Sequence, residues 1–266
     1  MIRAAHVAGQ FYPADSGELE ASVIENLSIC TKEDALAVIV PHAGYIYSGK
    51  VAGSVYSRIH IPDNVILIGP NHTGMGAPAS IMCQGKWETP LGEFDINEAL
   101  ASRLLEASAN LTEDETAHQK EHSLEVQLPF LYLLNHNASI VPITVMSADF
   151  TECEEIGKAI AQVLENYEEE VLIIISSDMN HFESEKITRE KDKLAIDRVL
   201  DLDPDGLLAV TGAEAISMCG VVPSTIGLIA AKELGANSAE LTEYSTSGKT
   251  SGDLENVVGY AGIIIK

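Results

Sequence analysis

Three apolar runs in this chain end in the same way, and that repetition constrains the fold more than anything else. Val38-Ile39-Val40 stops at Pro41-His42-Ala43-Gly44-Tyr45. Val65-Ile66-Leu67-Ile68 leads into Gly69-Pro70-Asn71-His72, and Val171-Leu172-Ile173-Ile174-Ile175 into Ser176-Ser177-Asp178-Met179-Asn180-His181. A short, near-continuous run of β-branched residues suits a strand covered on both faces, as in parallel α/β sheets. Ligands of such sheets bind beyond the carboxyl ends of the strands. Three histidines carried to that edge are therefore candidate site residues.

The spacing between the runs supplies the other layer. Amphipathic or capped segments predict helices near 16–28, 50–58, 97–108, 121–134, 152–167, 186–200, 204–210 and 223–234. Further strands are expected near 139–145, 239–245 and 257–265, with short strands and turns over 78–95. Pro129 predicts a break inside the 121–134 helix, and Pro142 places the 139–145 strand at an edge or a bulge. Alternating strands and helices are the signature of an α/β fold. No linker or internal repeat divides the 266 residues, so one domain spanning 1–266 is expected.

Composition narrows the function classes. The net charge of −24, from 40 acids against 16 bases, argues against nucleic acid or an anionic membrane as partner. No apolar run approaches the roughly 20 residues that span a bilayer. The opening Met1–His6 carries no long apolar segment, which makes a cytoplasmic protein the expectation. Cys30, Cys83, Cys153 and Cys219 are scattered without a C-x-x-C pair, which excludes a zinc ribbon or thioredoxin-like motif. One cysteine beside histidines remains open as a metal ligand.

Other polar motifs are ambiguous or misleading. Asp178 either turns the strand exit or orients His181. His118 and His122 stand four apart, but Gln119 follows the first, so the H-E-x-x-H motif is absent. Glu125 has a sufficient explanation at a helix start. Gly248-Lys249-Thr250 ends like a phosphate-binding loop without the glycine it requires. His60 and His136 stand alone and carry no site signal.

Five motifs, in order, resemble the Memo family: Pro41–Tyr45, Gly69–His72, Glu121-His122-Ser123-Leu124-Glu125, Ser176–His181 and Met218-Cys219-Gly220. Ala5–Pro13 and Gly259-Tyr260-Ala261-Gly262 extend the resemblance over essentially the whole chain. It implies a single α/β domain with a mixed, mostly parallel sheet flanked by helices, similar to class III extradiol dioxygenases. By that resemblance His42, His72 and Cys219 would hold Fe(II) or Cu(I)/Cu(II). His181 would move protons with Asp178 holding its tautomer, and His122 would complete the pocket. Cys219 stands where the dioxygenases use glutamate. A thiolate is softer and favours thiophilic metals, so ring cleavage does not transfer with the fold. Two functions follow as expectations: a metal-dependent redox enzyme acting on a small molecule, or a non-catalytic adaptor that takes a peptide in the same pocket.

Overall fold

The computed structural model describes residues 1–266. Strand β1 (Ile2–Arg3) precedes α1 (Ser16–Asn26), where Asp15 accepts the Glu18 N–H as an N-cap. Strand β2 (Ala37–Val40) is buried throughout, and α2 (Tyr45–Tyr56) begins three residues beyond His42. Next come β3 (Asn64–Pro70), β4 (Ala79–Ile81), β5 (Lys86–Thr89), β6 (Gly92–Asp95), α3 (Glu98–Ala107) and β7 (Thr112–Glu113). Two single 3₁₀ turns (Thr116–His118 and Glu125–Gln127) lead to α4 (Leu128–Leu134). The second half runs β8 (Ser139–Val145), α5 (Phe150–Glu165), β9 (Val171–Ser176), β10 (His181–Glu183), α6 (Glu185–Leu200), α7 (Pro204–Ala213) and α8 (Val221–Glu233). Strand β11 (Ala239–Thr246), the four-residue α9 (Gly248–Ser251) and β12 (Val257–Ile265) close the chain.

The large sheet is mixed, in the order β10-β12-β2-β9-β3-β8-β4-β7, with β11 also on β12. Its centre, β2-β9-β3-β8, is parallel. Both flanks turn antiparallel, at β12 on β2 and at β4 on β8. The other sheet, β1-β5-β6, holds the N-terminus against the body. One contiguous core runs from Val7 to Ile265, formed by strands whose two faces are both covered.

Two expectations need correction. The 121–134 segment is not one helix broken at Pro129; helix begins only at Leu128, and Pro129 sits comfortably in its first turn. Strand β8 lies between β3 and β4, not at an edge. Its proline is tolerated because the β4 ladder ends at Ile81 opposite Ile143. At the next position the Pro142 carbonyl accepts Met82 N–H, so the proline forgoes only one bond at the end of the ladder.

Candidate metal centre

Strand β9 lies between β2 and β3, so their three exits open side by side. His42 follows β2 and His72 follows β3, and their ring centroids are 5.2 Å apart. The 119–124 loop crosses above them and adds His122, with centroids 5.5 Å from His42 and 4.6 Å from His72. One potential donor atom from each of the three rings lies within 4.8 Å of the others. His42 is buried, His122 partly covered and His72 exposed, so the cluster opens to solvent on one side.

Hydrogen bonds orient the rings. Ser176 Oγ donates its proton to Ser123 O (2.6 Å). It is therefore an acceptor for Gln127 Nε2 (3.0 Å) and for His42 Nδ1 (2.8 Å). His42 thus carries its proton on Nδ1 and presents the Nε2 lone pair, 3.2 Å from Cys219 Sγ. His72 Nδ1 lies 2.9 Å from Glu121 Oε1, and His122 Nδ1 lies 3.4 Å from the same oxygen. Glu121 also accepts the main-chain N–H groups of His72, His122 and Ser123. Its carboxylate has no exposed surface, which alone would raise its pKa. The donors outweigh burial and bring it down to about 2.

Burial favours the neutral imidazole, the form a metal ligand must take, at His42 and His122. Burial, reinforced by the neighbouring histidines, pushes His42 well below its ordinary value. Burial also lowers His122 to about 4, against the pull of Glu121, and lowers His181. Burial together with Asp178 raises the Cys219 thiol.

Cys219 reaches the cluster from the turn before α8. Gly220 allows that turn to lie on the β9 exit, since a Cβ there would come within 2.4 Å of Ser177 Cβ. The thiol abuts His42, while His122 joins the donor cluster instead of standing apart with the proton-handling groups. Asp178 differs from its expected place. Its carboxylate accepts the His42 main-chain N–H at 2.7 Å, and His181 Nδ1 lies 2.8 Å from Ser217 O instead. A carbonyl can only accept, so His181 is also an Nδ1–H tautomer with Nε2 free. Burial raises Asp178 to about 7, opposed by the His42 N–H. The cause of the displacement is register: Val40 pairs with Ser176, which sets Asp178 beside the turn at His42.

Three other histidines, His60, His118 and His136, stay outside. His118 is fully buried beside Trp87, His60 binds Asp34 on the surface, and His136 sits in an exposed loop. A cavity of about 420 Å³ at the amino ends of β2 and β9, lined by Leu36, Val171 and His60, lies at the opposite edge of the sheet. Sequence reading assigned no role to Ser176, Gln127 or Ser217. Only the position of Ser176 at a strand exit hinted at one.

An α/β domain with a histidine cluster at the carboxyl edge of a mixed sheet is the class that fold and site define. The Memo-like protein family model matches residues 3–264, and the chain belongs to that family. MEMO1 family proteins of Aquifex aeolicus and Ignicoccus hospitalis are 43% and 41% identical, each over 99% of this chain and 98% of the relative. MEMO1 family protein MK0963 of Methanopyrus kandleri is 38% identical over 100% and 99%. Among solved structures, uncharacterised protein JW3007 of Escherichia coli K12 superposes with a TM-score of 0.57. That match covers 86% of this chain and 98% of the other at 13% identity, a likeness of fold. No helix is long and apolar enough to cross a membrane.

Proposed function

We propose that the protein is a metal-dependent redox enzyme acting on a small molecule, with Fe(II) or copper bound among His42, His72 and His122 and with Cys219 beside them. The observation that carries this reading is the orientation of two rings: the Nδ1 atoms of His42 and His72 are hydrogen-bonded to Ser176 and Glu121, which leaves their Nε2 atoms for a metal. Imidazole suits iron and copper, and a sulfur 3.2 Å from His42 Nε2 adds a soft donor that favours Cu(I). Such a metal would supply one-electron chemistry. The chain itself contributes an open side at His72 for substrate and a free Nε2 on His181 for a proton.

Metal analysis on protein purified anaerobically is the test. About one Fe or Cu per chain is expected, with loss in His42→Ala and His72→Ala and a shifted metal preference in Cys219→Ser. A wild-type chain that takes up neither added Fe(II) nor Cu(I) would end this reading. Peptide capture that survives full chelation would favour the adaptor instead.

A further inference from the structure

We infer that Glu121 is a positioning residue that sets His72 as its Nδ1–H tautomer and, through the same carboxylate, holds the main chain of His122 beside it. Oε1 faces His72 Nδ1 at 2.9 Å and His122 Nδ1 at 3.4 Å. The same oxygen accepts the N–H of His122 (3.0 Å) and of Ser123 (2.9 Å), while Oε2 accepts the N–H of His72. A carboxylate only accepts, so the ring nitrogen hydrogen-bonded to it, His72 Nδ1, must carry the proton. The Nε2 lone pair of His72 is thereby left for a metal. The same contacts tie the β3 exit to the 119–124 loop, so two ligands from distant parts of the chain move as one unit.

The main chain that carries this carboxylate is itself held in place. Arg3 Nη2 donates to Glu121 O (2.6 Å), and Arg3 Nε donates to His118 O (2.6 Å). Glutamine cannot substitute for Glu121. All four donors point at the two oxygens, and an amide NH₂ in either place would face an N–H. Aspartate keeps the charge but is one methylene short.

The metal-site reading gives this device its purpose, yet the tautomer can be read without metal. In metal-free protein, long-range ¹H–¹⁵N spectra of the imidazoles are expected to show His72 protonated on Nδ1. Glu121→Gln shifts it toward the Nε2–H form, and Glu121→Asp keeps a larger share of Nδ1–H. Titration with Cu(II) alone is expected to give 10- to 100-fold weaker binding in Glu121→Gln, with part restored in Glu121→Asp. His72 found as Nε2–H in the wild type, or still as Nδ1–H in a folded Glu121→Gln chain, overturns the inference. If the wild type binds no metal, the metal reading falls and the spectra still decide the role of Glu121.

Discussion

Two supports hold the candidate site, and each buries a carboxylate in a different way. On the N-terminal side, Glu125 has no exposed surface but is fully engaged. It accepts the N–H groups of His6 and Val7 and the Tyr12 hydroxyl, and it pairs with Arg3 at 2.7 Å. On the far side, Asp192 of α6 is equally buried but takes only the Asn180 N–H (2.8 Å) and the Tyr244 hydroxyl (2.7 Å). No cation touches it. Its neighbour Asn180 in turn accepts from Ser217, which holds His181. The first support is a charge-compensated clamp. The second is a polar relay that bears an uncompensated burial cost.

The sharpest way to break this comparison is to remove the cation from the clamp. Arg3→Ala strands a buried Glu125 charge and also frees the carbonyls of His118 and Glu121. A loss of about 3–5 kcal/mol of stability is expected, read from denaturant unfolding at pH 7. A loss under 1 kcal/mol would show that Glu125 needs no cation, and the two supports would be alike.

The contrast also shows what sequence could and could not disclose. Strands β2, β3 and β9 were legible because strands buried on both faces leave unbroken apolar runs. The histidines after them were legible as a consequence. The clamp was not. Residues 121–124 read as the start of a 121–134 helix by pattern, but Glu121 accepts the N–H groups of His122 and Ser123 and holds them out of a helix. Arg3 and Glu125 lie more than a hundred residues apart, and nothing local marks their meeting. Asp178 was placed with His181, its neighbour in sequence. The pairing of β2 with β9 gave it to His42, a long-range fact.

The relay should disclose its cost through pH. Burial raises Asp192 to about 6, opposed by the Tyr244 and Asn180 donors and by Arg189, with Glu183 adding to the rise. The folded state therefore binds more protons than the unfolded chain between about pH 4 and 6. Stability is full below that window and falls as pH rises through it, by on the order of 3 kcal/mol. Asp178 contributes with the same sign, so the informative quantity is the difference between wild type and Asp192→Asn. The variant should lose part of the slope, its amide donating to Tyr244 while its carbonyl accepts Asn180 N–H. Identical pH profiles would refute an uncompensated charge at Asp192.

Packing around the relay is close enough to test by one methyl group. A Cβ on Gly259 would fall 1.8 Å from Asp192 Oδ2. Gly259→Ala is expected to cost about 1–3 kcal/mol and to disturb the imidazole signals of His181 before those of His42. An unperturbed His181 would mean that the relay does not reach the site.

The smallest effect concerns backbone strain, which also separates the two supports. The three non-glycine residues with left-handed φ, Phe182 at 61°, Leu202 at 52° and Ala215 at 48°, all lie on the side of the relay. Phe182 is the clearest: a bulky residue in that region is disfavoured, and the residue is 76% exposed. Little packing offsets the strain beyond the tilted approach to His181 at 5.6 Å. Glycine adopts this conformation freely, though it loses more entropy on folding. Phe182→Gly is therefore expected to raise stability by up to about 1 kcal/mol, or about 2–4 °C in Tm for a chain of this size. A drop in Tm instead would mean that the exposed ring contributes more than the backbone costs. The strain at residue 182 would then be held by a contact on the site's open side, and the relay would be as well compensated as the clamp.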